Sequence, residues 1–302
     1  MPIGLARLEP MSNQPPATPR PNDRATLDES MLRETMTHLG MGELHVSDYT
    51  GSTNDDLVER IKHGSLANLS VESTEHQRAG HGRLGRGWET PARSSLAISI
   101  FFQPPTGFDS AGLAWLSMLC ATAMVQTLND DAGLDAGIKW PNDVVAHGAK
   151  LCGVLAQLVP TAGGFGVVVG AGLNVNQGPG ELPVRTAASL HTLSATTTDR
   201  TTIFSAYLTR VHALYNAFTQ ACGNAQAVLG DTGESLRTLV AKNMISLGHV
   251  VDAHLPDGSI LTGTAVDLGQ DGSLILRMAT GELHPVLAGD VFHLRRNDGN
   301  YA

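Results

Sequence analysis

The chain is short of cysteine and of positive charge, and each shortage excludes a class of function. Its three cysteines, Cys120, Cys152 and Cys222, stand far apart and include no C-x-x-C pair. So sparse and odd a set reads as reduced thiols of a cytosolic protein, not as a disulfide framework or a zinc centre. Lys and Arg number 20 against 29 Asp and Glu, a formal charge of −9 at pH 7. Nucleic-acid binders normally carry a basic face or tail, so no nucleic acid is expected as a partner. The N-terminus lacks a charged-then-apolar signal pattern. The longest apolar stretch, Leu113 to Leu128, is broken by Ser117, Thr122, Gln126 and Thr127. It is too short and too mixed for a bilayer, and reads as a buried helix. A cytoplasmic protein without a membrane partner is the expectation.

Two nucleotide motifs are also missing. No G-x-x-x-x-G-K-[ST] occurs, which removes a P-loop site. Gly80, Gly82 and Gly85 do spell G-x-G-x-x-G, but the run continues to Gly87, Pro91 and a strand-like segment. A dinucleotide fingerprint has to open a helix, so this reading is disfavoured.

What is present suits a soluble enzyme. With 302 residues there is room for one large domain and a small one. Residues 1–40 are rich in Pro, Asn, Thr and Arg, and most of this tail is expected to be disordered, with a weak helix from about Leu27 to Leu39. No complete helix-turn-helix fits there. Residues 41–240 alternate strand and helix patterns. Ser52 or Thr53 caps a helix with Asp55 and Asp56 in its first turn, ended by Gly64. The runs LAISIFF, Gly148 to Leu158 and GFGVVVGAGLNVN read as strands, Asp109 to Asn129 as a long helix, and Thr201 to Cys222 as the last one. Residues 241–296 change to short strands between PDG and QDG turns, the pattern of a small antiparallel barrel. The fold class is α+β, a mixed sheet packed with helices plus a C-terminal β domain.

Four short segments could carry chemistry. In His76 to Trp88 four glycines lie among Arg78, His81, Arg83 and Arg86. Their backbone N–H groups and guanidinium forks form the local cationic site that phosphate chemistry would need in a −9 chain; the plainer reading is a solvated loop. KWPND, Lys139 to Asp143, is a strand end turned by Pro141, with Lys150 eleven residues after Lys139 at the head of an apolar strand. Alone, Asn142-Asp143 is a turn and Lys150 a surface lysine. GSTN, Gly51 to Asn54, is first of all a helix cap. GAGLNVN, Gly170 to Asn176, reads as a strand ending in turn-forming amides.

Taken together, their order is more specific than any one of them. G-S-T-N, then E-x-Q-x-A-G-x-G-R-x-G-R-x-W, K-W-P-N-D, K-x-x-G-V-L and G-x-G-x-N-x-N resemble the catalytic domain of biotin–protein ligases, from about Gly51 to Asn176, with a weaker echo in Ala187 to Leu190. The resemblance implies a class II synthetase-like domain and an SH3-like C-terminal barrel, in the type that lacks a DNA-binding domain. It implies that ATP and Mg2+ activate biotin as biotinyl-5′-AMP, for transfer to a lysine of a biotin carboxyl carrier domain of a carboxylase. Site roles follow position by position. Ser52, Thr53, Asn54, Gln77, Gly80, His81, Gly82, Arg83, Lys150 and Gly153 would hold biotin. Arg83, Arg86, Trp88, Asn142 and Asn174 would hold the nucleotide, and Arg83 and Lys150 would be catalytic. Three positions depart from the family pattern: His81 for a common Arg, Gln157 for a frequent acid and Ala188 for the usual Thr. Lipoate or octanoate ligation on the same fold, a biotin-sensing DNA-binding repressor and a ligand-binding module without turnover are the alternatives. Metal ligands, acceptor identity and the choice between monomer and homodimer are left open by the sequence.

Overall fold

The computed structural model describes residues 24–64, 66–82, 85, 87–255, 259–287 and 293–296. Helix α1 (Glu29–Leu39) is capped by Asp28, whose side chain accepts from the Met31 N–H, and is followed by β1 (Leu44–Ser47). Then come α2 (Thr53–His63), β2 (Val71–Thr74), the two-residue strands β3 (Gly80–His81) and β4 (Gly87–Trp88), and β5 (Ser95–Phe102). A 3-10 turn, Ser110–Trp115, leads into α3 (Leu116–Asp130). Strands β6 (Ala136–Lys139), β7 (Asp143–Ala146), β8 (Ala149–Thr161) and β9 (Gly164–Asn174) precede α4 (Arg200–Gln220) and α5 (Leu236–Lys242). The C-terminal strands are β10 (Val250–His254), β11 (Ile260–Leu268), β12 (Leu274–Arg277), β13 (Leu283–Val286) and β14 (His293–Arg296).

Seven strands form one mixed sheet in the order β1-β2-β5-β9-β8-β7-β6, parallel between β1 and β2 and antiparallel elsewhere. Every residue of β5 is buried, which explains why its sequence is a continuous apolar run. Period two still sorts the side chains. Leu96, Ile98, Ile100 and Phe102 join the large core with α3 and α4, while Phe101 packs with Leu57 and Val58 of α2 in a smaller cluster. Ala97 and Ser99 therefore share the α2 side of the sheet, where the cavity described below opens. The apolar run around Leu113–Leu128 forms the expected core helix: α3 buries eleven of its fifteen residues.

Four expectations are corrected. The expected helix near Leu27 to Leu39 is present as α1, but the tail around it is packed from Arg24 onward rather than loose: Leu32 and Met36 enter the core from one face of α1, and Leu27 joins them from just before its cap. Residues 1–23 lie outside the described residues. The helix ending near Cys222 is not the last, since Ser235 caps the short α5. Of the expected turn Asn142-Asp143, Asn142 does lie in the turn but Asp143 already opens β7, paired to Gly153 across the ladder. The glycine-rich segment, read as a loop, includes the small β3–β4 hairpin, with Gly80 opposite Trp88.

The C-terminal strands make a separate antiparallel sheet, β13-β12-β11-β10-β14. Its QDG turn is seated on the large domain by two tryptophans. The indole of Trp115 donates to the Gln270 carbonyl at 2.8 Å, and that of Trp140 to the Gly272 carbonyl at 3.1 Å. Trp140 and Gly272 are both buried, so this bond has no water to replace it. Replacing Trp140 by Phe keeps the apolar contact but leaves that carbonyl unpaired. Trp140→Phe is expected to lower unfolding stability by about 1–3 kcal/mol, read as a shifted urea midpoint; an unchanged midpoint would show that the tether is dispensable.

Candidate active site

A cavity of about 570 Å3 opens on the α2 side of the sheet, between β5, β7, β8, β9, the β3–β4 hairpin and residues 183–187. At one end the start of α2 supplies a buried polar network. Ser52 caps the helix by accepting from the Asp55 N–H. The Thr53 backbone N–H and hydroxyl both donate to Gln77 Oε1, at 3.0 and 3.1 Å. Ser99 Oγ stands 2.8 Å from Thr53 Oγ1 and 2.6 Å from Asn54 Oδ1. Thr53, Asn54, Gln77 and Ser99 are all buried. Buried polar groups are costly unless partnered, so this cluster fixes its members tightly and suits a ligand head with its own donors and acceptors. Gly80 lets the hairpin pass over it: a Cβ there would stand 2.1 Å from Gln77 Nε2 and 2.5 Å from the Trp88 carbonyl.

The other end is ionic. Lys150 Nζ lies 2.6 Å from Asp143 Oδ1, across adjacent strands β8 and β7, both side chains being largely buried. The backbone of Lys150 is held from the far side: its N–H donates to the Thr186 carbonyl and its carbonyl accepts from the Ala188 N–H, each at 2.8 Å. Its ammonium is 5.7 Å from the centre of the Trp88 ring, close enough for a cation–π attraction. Trp88 fits because residue 172 is glycine, where a Cβ would come within 2.8 Å of the indole. The Trp88 Nε1 is buried without a hydrogen-bond partner. Asn142 Nδ2 donates to the Val154 carbonyl at 2.6 Å, and Asn174 spans the Ala188 carbonyl and Gln177 Nε2 at 2.9 and 3.0 Å. These two amides shape the wall through protein contacts of their own.

The structure thus brings Ser52, Thr53, Asn54 and Gln77 together with His81, Gly82 and Trp88, and sets them around the same cavity as Asn142, Lys150, Gly153 and Asn174. Gly80 lies just behind Gln77. Arg83 and Arg86 fall outside the described residues, though Gly82 and Gly87 on either side of them line the cavity. His81 Nε2 lies 3.1 Å from Asp55 Oδ2 at the exposed rim. Sequence reading missed Ser99, the ion pair made by Asp143 and the wall at residues 183–186. Ser99 was detectable as the one polar residue inside the apolar run of β5. Asp143 was hidden by its plausibility as a turn residue, and the wall carries no motif. Among the described residues, no group of three or more His, Cys, Asp and Glu could hold a metal ion.

Similarity to known proteins agrees with this geometry. Residues 46–174 match the Biotin/lipoate A/B protein ligase family and residues 247–294 the Biotin protein ligase C terminal domain. The biotin--[acetyl-CoA-carboxylase] ligase of Mycobacterium tuberculosis is 35% identical over 92% of this chain and 100% of its own length. The chain belongs to the biotin protein ligase family. The bifunctional ligase/repressor BirA of Escherichia coli is 32% identical over 47% of this chain and 44% of its own. The structure of the Aquifex aeolicus biotin protein ligase in complex with biotin and ATP superposes with a TM-score of 0.68 at 25% identity, covering 84% of this chain and 99% of that one.

One nucleophile near the site is inert in this biotin protein ligase family member. Cys152 follows Lys150 by two residues on β8, but burial raises its thiol far above the usual range, outweighing the nearby ammonium. Burial likewise pushes Cys120 up to about 12. A thiol reacts as its thiolate, so the two buried thiols should resist modification in the native state, while Cys222 is exposed to reagent. At about pH 8, DTNB is expected to modify one thiol per native chain and three after denaturation; fast modification of two or three native thiols would contradict the burial argument.

Proposed function

We propose that this chain activates biotin with ATP to biotinyl-5′-AMP and transfers the biotinyl group to a lysine of a biotin carboxyl carrier domain in the cytoplasm. The observation that carries this reading is the two-ended cavity, with a buried hydrogen-bonding network at Thr53 and Gln77 and a fixed ammonium at Lys150. Biotin has that polarity: a ureido ring at one end and a carboxylate at the other, joined by an apolar chain. A lipoyl ring would leave the Thr53–Gln77–Ser99 cluster without a polar ligand partner, an expensive mismatch for buried groups. Biotin is therefore favoured over lipoate on the same fold.

In the first step a carboxylate oxygen attacks the α-phosphorus, the bond from that phosphorus to the bridging oxygen breaks, and pyrophosphate leaves. Two anions must meet, and charge builds up on the transferring group. Lys150, pre-set by Asp143 and by the backbone of residues 186–188, offers positive charge without reorganisation. On the sequence resemblance, Arg83 and Arg86 would add guanidinium contacts to the phosphates, and the glycine-rich segment would shield the mixed anhydride from water. Trp88 would form an apolar wall at the nucleotide end. In the second step a neutral lysine amine of the acceptor attacks the acyl carbon, AMP departs and the amine loses its proton. No residue of this chain becomes covalently modified.

Mg2+ prefers phosphate oxygens and water with one or two carboxylates. With no carboxylate cluster among the described residues, it would arrive on ATP rather than in a cage of the protein's own, and would reduce the phosphate charge when bound.

Purified protein with biotin, ATP, magnesium and a biotin carrier domain should give a streptavidin-positive acceptor; labelling by lipoate in place of biotin would overturn the substrate assignment. Lys150→Ala is expected to slow biotin-dependent pyrophosphate exchange by about 100- to 1000-fold with the fold retained. Gln77→Ala should instead raise the biotin KM by roughly tenfold or more, since it breaks the head-group network. If Gln77→Ala left KM unaltered, the head would have to bind elsewhere.

A further inference from the structure

The cavity wall at residues 183–187 has little burial of its own to hold it. Pro183, Val184, Arg185 and Thr186 are exposed in succession, and the segment belongs to no helix or strand. Its position is set by its ends. At the far end, Ala187 bridges Lys150, and the Lys150 backbone bonds to Thr186 and Ala188. At the near end stands Glu181, two residues before Pro183.

Glu181 is gripped by an arginine from the other end of the chain. Arg24 Nη2 lies 2.5 Å from Glu181 Oε2 and also donates to the Asn176 carbonyl at 3.2 Å, while Nη1 donates to the Ala92 carbonyl at 3.4 Å. The same Glu181 oxygen accepts from the Gly178 N–H at 2.9 Å. One guanidinium thus ties together the segment leaving the glycine-rich hairpin, the segment leaving β9, and the turn that becomes the cavity wall. Its own strand of chain is anchored behind it. The Leu27 N–H donates to Glu75 Oε1 at 2.6 Å, the Asp28 N–H to Thr201 Oγ1 at 3.0 Å, and Arg200 Nη2 to the Ala25 carbonyl at 2.7 Å.

The Arg24 side chain is fully buried, and its Nε has no hydrogen-bond partner. Burying a guanidinium is expensive, and a paired buried charge often stabilises a protein no better than apolar side chains of the same volume. Such a pair is better suited to fixing one geometry than to adding stability. The geometry it fixes here is that of the wall bonded to Lys150.

We infer that Arg24 and Glu181 are positioning residues for the adenylation step: the pair holds the 183–187 wall so that its far end keeps Lys150 aimed into the cavity. Arg24 touches no substrate. It acts through Glu181 and the wall, on the ionic end of the site, and leaves the Thr53–Gln77 network alone. Its loss therefore lowers kcat for biotin adenylation much more than it raises the KM for biotin, whose ureido end the Thr53–Gln77 network still meets. The inference rests on the reading of Lys150 given above.

The test uses the full chain and compares Arg24→Met, Arg24→Lys, Glu181→Gln and Arg24→Met/Glu181→Gln with Lys150→Ala in biotin-dependent pyrophosphate exchange, with thermal melting alongside. Misplacing a reacting group by about 1 Å from a distance costs up to about 100-fold, so Arg24→Met and Glu181→Gln are each expected to lose about tenfold or more in kcat with a smaller change in biotin KM. Arg24→Lys, which keeps the charge but not the fork, should recover part of the loss, and the double variant should be no worse than Arg24→Met. Should Arg24→Met fail to fold, Glu181→Gln decides, because its carboxamide is nearly isosteric and the residue is partly exposed. Wild-type kcat in the folded variants overturns the inference, as does a biotin KM that rises by more than kcat falls, or a loss that merely follows the melting temperature. Were Lys150→Ala to exchange pyrophosphate normally, the site reading itself would fall. If Lys150→Ala is inactive while the Arg24 and Glu181 variants turn over normally, only the positioning role falls.

Discussion

Lys150 and Asp143 face each other across 2.6 Å at the rim of the central sheet, and the site is organised around that pair. In a chain of net charge −9, a reaction between two anions needs a cation whose position is assured before either arrives. Three separate parts of the fold provide it. The β7–β8 ladder, irregular between Val144 and Val145, sets the strand register; the backbone of residues 186–188 pins Lys150 from the other side; and Trp88 lies near the ammonium. A flexible surface lysine would have to be ordered by each substrate in turn, at an entropic cost that a pre-set one avoids.

The opposite end of the cavity obeys a different constraint. Thr53, Asn54, Gln77 and Ser99 are polar, buried and mutually bonded. They come from a helix start, a loop and a strand, so the network holds α2 to the sheet at this end of the cavity. It tolerates the nearby hairpin only because residue 80 has no side chain. The small domain adds a third constraint by resting its QDG turn on Trp115 and Trp140. Trp140 belongs to the KWPND segment, so the domain contact and the ionic end of the cavity share one stretch of chain.

Much of this was legible before any coordinates. The capping pattern at Ser52 located α2 because a helix start needs an acceptor for its free N–H groups. The runs that became β5, β8 and β9 were legible because strands covered on both faces become continuously apolar. The motif order Gly51 to Asn176 located the site, since the chemistry needs those side chains in fixed relation. Other features left no local trace. Leu32 and Met36 make α1 part of the core, yet their neighbourhood reads as a polar tail, because whether an amphipathic face is used depends on what lies opposite it. Asp143 looked like a turn residue, since nothing near it in sequence announces the lysine it meets.

The sequence by itself determined the main strands and helices and the order of the candidate site motifs, because these follow from backbone sterics, periodicity and the chemistry of single side chains. Only the tertiary structure decided which of those residues face one another. Arg24 meets Glu181, Thr53 meets Gln77 and Trp140 meets Gly272 across long intervals of chain. Such pairings depend on strand order and sheet curvature, quantities set by the packing of the whole molecule and by no segment alone.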